Sequence, residues 1–349
     1  MQIYYIFKAC LQISCFPNAW KVTKIYPIPK PGKNKTNLIN YRPISLLSTL
    51  SKVLEKIILI HLNKHLTQNS IIIPQQYGFR EKHSCIPQLL RVTEFAIIEH
   101  NKNRITQLAL LDLERAFDSV WHNALILKLK RIQMSEGIIK LIFSYLCHRR
   151  IYVTVNGANS SIKQLKAGIP QGSILGPILF NIYINDIPTS TNTHLAIYAD
   201  DTAIYTSCWN PVQATKYLQT HIDQILNFFQ DWKLTVNAQK TQAITFPRKA
   251  APLTTQLKIQ GHPIQWAAKV KCLGVVLDRR ITWAPAIHAR LSLTYPLLKR
   301  IYPLIAPNNK LKNSIKITLY KTCVRPVFLY GHQVWAAAPK THINKIQRT

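Results

Sequence analysis

Residues 194–207, HLAIYADDTAIYTS, set two aspartates side by side inside an apolar segment, in a chain with only 14 acidic residues among 349. Leu195, Ile197, Ile204 and Tyr205 flank the pair with strand-forming side chains, and two apolar runs around a short polar centre predict a tight β-hairpin. Asp200 and Asp201 then sit at its turn. Taken alone such a pair is explained by a solvated turn, so its meaning depends on what else the chain sends to the same place.

Working outward, Leu108 to Leu113 is a short, almost wholly apolar run, the pattern of a buried central strand, and it carries Asp112 near its end. Adjacent strands of one sheet would bring Asp112, Asp200 and Asp201 together. Three clustered anions repel unless a cation lies between them, and hard oxygen ligands select Mg²⁺, which binds one or two carboxylates together with substrate phosphates. Two such ions about 3.5–4 Å apart would activate a primer 3′-hydroxyl and stabilise the leaving oxygen of an in-line displacement. The chemistry anticipated is nucleotidyl transfer.

Composition points to the partner. Against 14 Asp and Glu stand 45 Lys and Arg, a formal charge of +31, spread from Lys8 to Arg348. Solubility alone needs a net charge of only roughly 2–8 on a small domain, so a polyanion, nucleic acid before an acidic membrane surface, is the expected partner. A 47% hydrophobic content excludes wholesale disorder. The seven cysteines are odd in number and form no C-x-x-C pair, which argues against a disulfide framework and a zinc ribbon and for a reducing compartment. The start, MQIYYIFKACLQISCF, is interrupted by Lys8 and lacks a small-residue cleavage site, a poor signal peptide. Ala167 to Asn185 is the longest uncharged run, but its prolines and glycines suit a loop entering a helix better than a membrane span.

The remaining pattern alternates. A Pro-interrupted strand in VTKIYPIPKPG precedes a helix from about Ser48, with Leu50, Val53, Leu54, Ile57, Ile58, His61 and Leu62 on one face; a second helix spans Ile86 to His100. His61 and His65 have metal-pair spacing without the glutamate of H-E-x-x-H, a helix-surface coincidence. Leu125, Leu129 and Ile132 recur at helical spacing, RRIYVTVNG reads as a strand turning at Asn156 and Gly157, and LKAGIPQGSILG leads into a helix with Ser173 as N-cap. Pro211 opens a helix striped by Leu218, Ile222, Ile225 and Phe229. KLTVNAQKTQAITF and KVKCLGVVLD are strand candidates, and from Ile281 the pattern is helical, with Tyr295, Leu298, Ile301 and Leu304 on a basic amphipathic face.

DLERAFDSV, GIPQGSILGPILFNIYIND, YADD and LTVNAQKT follow one another at polymerase-palm spacing. Together with WKVTKIYPIPKPGK, NYRPISLL, QYGFREKHSC and CLGVVLD, they resemble the reverse transcriptase of non-LTR (LINE-like) retrotransposons of the jockey type, over essentially the whole chain. The resemblance implies an α+β right-hand polymerase fold with a mixed palm sheet: fingers at 1–107, palm at 108–282 (part of 122–166 belonging with the fingers), and an incomplete helical thumb at 283–349. It implies RNA-directed DNA polymerase activity with RNA template, DNA primer, dNTPs and two Mg²⁺ ions, Mn²⁺ being a substitute. No membrane is expected, and the family's life cycle implies nucleus as well as cytoplasm.

Position by position, Asp112, Asp200 and Asp201 match the family's metal triad, with the carbonyl of Leu113 as a further ligand. Phe117 matches the aromatic under the nucleotide sugar, excluding a 2′-hydroxyl; its alternative is a core phenylalanine. Gln171 matches the glutamine at the nucleotide and template, with Gly168 and Gly172 permitting close backbone approach; the alternative is a turn glutamine. Lys30 and Arg42 match fingers cations for the triphosphate, and Lys240 the lysine that protonates pyrophosphate, each against a plain surface charge. CLGVVLD around Gly274 resembles the primer grip. Arg115 stands where lysine is frequent. An endonuclease region is not expected within this stretch, which reads as a piece of a longer polyprotein. The rivals are a truncated copy that only binds RNA, an RNA-dependent RNA polymerase, and a group II intron maturase.

Overall fold

The computed structural model describes residues 2–32, 34–247, 255–336 and 338–347. The chain folds into two compact units, Met1–Glu81 with Leu113–Pro188 and Gln224–Asn237, and Lys82–Asp112 with Thr189–Asp223 and Ala238–Thr349. The chain therefore crosses between units several times, once between Asp112 and Leu113.

The second unit is built on a four-stranded sheet in the order Gln242–Phe246, Ile105–Leu111, Asp201–Cys208, His194–Tyr198. Its apolar side chains explain the order. Leu108 and Ile204, on the two inner strands, have no exposed surface, nor has Ile244 beside them, and near-continuous apolar runs suit strands with neighbours on both sides. All four strands pair antiparallel, correcting the mixed sheet expected at the aspartates. The hairpin turn fixes one pairing, since so short a link between His194–Tyr198 and Asp201–Cys208 joins only antiparallel strands; the other two join segments distant in the chain. Helix Cys85–Asn101, one residue longer at each end than its periodicity suggests, packs Leu89, Val92 and Ala96 into the same core. The side chain of its buried Gln88 donates to the Ile197 carbonyl at 3.0 Å and that of Arg91 to the Leu195 carbonyl, clamping the hairpin from behind.

KVKCLGVVLD is not one strand but a hairpin, Lys269–Cys272 with Val275–Asp278. Its two turn residues, Leu273 and Gly274, both have positive φ (+43° and +81°), the requirement of the tight turn whose twist matches its strands. Helix Ala284–Ile305 follows, and its buried residues are Ala286, Ile287, Leu291 and Thr294. On the basic amphipathic face expected here, Tyr295 and Leu304 are 56% and 45% exposed and Leu298 and Ile301 are half-buried. Pro296 and Pro303 lie inside this helix, where a missing N–H and a ring clash disturb the 3.6-residue register on which the stripe was read.

In the first unit Val22–Pro29 pairs antiparallel with Tyr41–Leu46 and parallel with Arg150–Val155, so the mixed sheet is here. Asn156 and Gly157, with φ of +48° and +84°, turn the chain back as expected. Helix Thr49–Gln68 begins after Ser48, and its buried line is Leu54, Ile58, Leu62 and Leu66, whereas Val53 is 44% exposed. His65 Nε2 lies 2.8 Å from the Ile132 carbonyl, a packing contact rather than a metal ligand. Leu113 is not part of the central strand: Leu113–Glu114 pairs with Thr235–Val236, and KLTVNAQKTQAITF accordingly divides into that strand and Gln242–Phe246.

Removing buried methylenes from the sheet centre should be costly. Ile204→Ala is expected to lower stability by about 2–5 kcal/mol, while exposed Val53→Ala stays within about 0.5 kcal/mol. Urea unfolding followed by tryptophan fluorescence distinguishes the two; equal effects would contradict the burial pattern.

Candidate active site

The sheet register assembles the acidic end of the second unit. Leu111 pairs with Thr202, Leu110 with Gln242, and Tyr198 with Asp201. One step further along the same ladders sets Asp112 level with Asp201 on one side and Lys240 on the other. The side chains agree: Lys240 Nζ lies 3.4 Å from Asp112 Oδ2, and Asp112 N–H points to Thr241 Oγ1 at 3.4 Å. Asp200 occupies the two-residue turn beside Ala199, whose φ is +57°. A non-glycine residue in that region is disfavoured and persists when the surroundings over-determine it.

Electrostatically this is a strained corner. Burial, then Asp200, then Asp112 raise the Asp201 carboxyl to about 6. Asp200 is raised by burial and by Asp112, against a lowering backbone hydrogen bond. Asp112 Oδ2 is buried without a hydrogen bond, the Lys240 ammonium being its counter-ion. Among the described residues no three His, Cys, Asp or Glu side chains are arranged to hold a metal ion as they stand. The donor chemistry nevertheless fits a hard divalent cation: three carboxylates at one sheet end, two pushed toward protonation, and one orphaned oxygen.

The first unit carries the remaining candidate residues. Phe117 stacks on Phe180, ring centroids 4.8 Å apart and planes 28° from parallel. Gln171 Nε2 lies 3.0 and 3.1 Å from the two carboxylate oxygens of Asp118. Gly172, at φ +110°, is so near the Ser45 carbonyl that a Cβ would lie 3.0 Å from it. Arg42 is exposed and pairs with Ile28, while Lys30 N–H donates to the Asn40 carbonyl at 2.8 Å, so both cations belong to one end of the same strand pair.

The loop bearing Gln171 is held by a residue that sequence reasoning passed over. Glu55, with no exposed surface, accepts Ser51 Oγ–H at 2.9 Å and the N–H groups of Ile174 and Leu175 at 2.8 and 3.3 Å. Ser173 Oγ accepts Gly176 N–H at 2.8 Å. That is the i to i+3 bond of a capping serine, but the helix, Gly176–Tyr183, begins after Leu175 rather than directly after Ser173, and the intervening Ile174 and Leu175 N–H groups go to the buried Glu55 carboxylate. The only signal in the sequence was a lone acid four residues after Ser51. Asp118 was likewise overlooked although it stands within ERAFDS; its carboxyl is raised by burial, against Gln171 and Arg115.

Residues 28–277 match the family model described as reverse transcriptase (RNA-dependent DNA polymerase). The chain is 36% identical over 353 residues to the RNA-directed DNA polymerase from mobile element jockey of Drosophila melanogaster, covering 98% of this chain. The chain belongs to the reverse transcriptase family. Within it the similarity is to non-LTR retrotransposon proteins: 35% identity over 98% of the chain to the probable RNA-directed DNA polymerase from transposon BS of the same fly, and 25% over 95% to the Pol polyprotein of type-1 retrotransposable element R1 of Bradysia coprophila. This reverse transcriptase chain spans 38% of the jockey protein's length. Apo telomerase from Candida tropicalis superposes with a TM-score of 0.55 at 14% identity, over 96% of this chain and 63% of that one. The fold is thus the polymerase right hand. Reverse transcriptases as a family depend on divalent metal. No helix among the described residues is long and apolar enough to cross a membrane.

A raised carboxyl has a signed consequence. The folded state holds the Asp201 proton more tightly than the unfolded state, whose aspartates titrate near 3.9, so stability from this group is full below about pH 4 and is lost as pH rises toward 6. Asp201→Asn should therefore be more stable than the native chain at pH 7.5 by about 1 kcal/mol, a figure discounted because solvent screens this carboxylate. The difference should close by pH 4, as read from melting curves; a variant destabilised at both pH values would contradict the crowding.

Proposed function

We propose that this chain is an RNA-directed DNA polymerase that adds dNTPs to a primer 3′-hydroxyl on an RNA template. The observation that carries the reading is the alignment of Lys240, Asp112 and Asp201 across the antiparallel sheet, with Asp200 in the adjoining turn. Asp112, Asp200, Asp201 and the carbonyl of Leu113 would hold two Mg²⁺ ions. Mg²⁺ held by these groups would supply Lewis acidity for the primer hydroxyl and charge compensation for pyrophosphate.

The other roles belong to the chain's own groups. Lys240, an ammonium beside Asp112 with much of its side chain in solvent, is suited to deliver a proton to pyrophosphate. Arg42 and Lys30 would hold the triphosphate, Arg as a fork and Lys as a point charge. The Phe117 ring, kept in place by its stack on Phe180, would close the space a ribose 2′-hydroxyl needs, and Gln171 with Gly172 would line the nucleotide and template. In this reading fingers occupy 1–107, palm 108–282 and a thumb-like region 283–349. The charge of +31 suits a grip on template and primer through phosphates.

Primer extension on an RNA template with Mg²⁺ and dNTPs tests the reading. Asp200→Asn with Asp201→Asn should reduce extension by roughly 10³-fold, the scale on which losing a transition-state electrostatic contact acts, and EDTA should stop it. Extension untouched by the double substitution would reject the assignment. Phe117→Ala should raise rNTP incorporation relative to dNTP by about 10–100-fold, the discrimination one shape contact provides. Unchanged sugar selectivity would remove Phe117 from the gate.

A further inference from the structure

Gln171 is anchored on both sides of its side chain. Its carbonyl accepts Ser45 N–H at 2.9 Å. Gly168, three residues earlier, has φ +89° and lies so close to the Asp118 backbone that a Cβ would be 2.7 Å from Asp118 O. Two hydrogen bonds, Gly168 N–H to Val120 O at 2.9 Å and Ile169 N–H to Phe117 O at 2.8 Å, lock the two loops together. His122 Nε2, 2.8 Å from the Gly168 carbonyl, adds a third tie. Asp118 is thereby set with both carboxylate oxygens against Gln171 Nε2.

An ionised carboxylate only accepts hydrogen bonds, whereas an amide donates from one end and accepts at the other. The pairing therefore leaves Gln171 one orientation: its NH₂ faces Asp118 and its Oε1 faces away. No described side chain donates to that Oε1. We propose that Asp118 is a positioning residue for Gln171, pinning the amide so that it presents a carbonyl acceptor to a hydrogen-bond donor on the bound nucleotide or strand. Asp118 itself touches no substrate. Without it the amide is free to rotate and offers donor and acceptor indifferently, weakening the interaction with the substrate rather than the fold.

The kinetic test rests on the polymerase reading; a spectroscopic test does not. Asp118→Leu should lower kcat/KM for primer extension about tenfold, the scale of a hydrogen bond to a charged group, mainly through KM and with a near-native melting temperature. Asp118→Asn, which retains one acceptor oxygen, should recover most of this. In a Gln171→Leu background Asp118→Leu should have no further effect, because its influence runs only through Gln171. Losses that multiply in the double variant, or native kinetics in Asp118→Leu, would overturn the proposal. In ¹⁵N-glutamine-labelled chain, the side-chain amide signal that vanishes in Gln171→Leu should shift in Asp118→Leu, and an unmoved signal would refute the pin. A native chain that extends no primer would instead count against the polymerase reading, with the amide signal still deciding the contact.

Discussion

The register of Ile105–Leu111 between its two antiparallel neighbours is the constraint on which the acidic site depends. A slip of one residue would turn Leu108 out of the core and carry Asp112 to the opposite face of the sheet. What opposes the slip is burial: Leu108, Ile204 and Ile244 are wholly enclosed, each worth roughly 1.5–3 kcal/mol over exposure. The same ladders that enclose these side chains bring Lys240 and Asp201 level with Asp112. Packing at the middle of the sheet thus holds together, at its end, carboxylates whose mutual repulsion would separate them. Burial first, and the neighbouring Asp200 and Asp112 carboxylates after it, raise Asp201 to about 6, and a divalent cation is the natural means of relieving that crowding.

The first unit solves a different problem, how to hold an irregular loop rigid. The segment from Gly168 to Leu175 has no ladder of its own, and five of its N–H groups are held individually: those of Gly168 and Ile169 by the Val120 and Phe117 carbonyls, that of Ser173 by the Pro170 carbonyl, and those of Ile174 and Leu175 by buried Glu55. Glycine is required where the chain runs against Asp118, because φ is positive and no Cβ fits. Such a loop keeps Gln171 in place without demanding that its own side chain pack. The exposed amide then depends on Asp118 for its direction.

Much of this was legible in the residues. The hairpin of 194–207 followed from two apolar runs around a polar centre, and the strand before Asp112 from its unbroken hydrophobicity. Helices Thr49–Gln68, Cys85–Asn101 and Pro211–Asp231 followed from periodicity and from Ser48 and Pro211 at their starts. Motif order identified the family. These are local signals: alternation, periodicity and turn chemistry act within a few residues.

Partnership between distant segments was not legible. That Leu113 leaves the central strand for Thr235–Val236, that the four strands of the sheet pair antiparallel, and that Glu55 holds a loop more than a hundred residues away are decided by which surfaces bury one another. The helix stripe of Tyr295, Leu298, Ile301 and Leu304 shows a further case, an amphipathic pattern whose middle is half-buried and whose ends are exposed. The sequence by itself determined the local elements that present Asp112, Asp200 and Asp201 and the order of motifs that marks the family. Only the tertiary structure decided their neighbours, because hydrogen-bond register and burial are satisfied between segments and leave no imprint on either one alone.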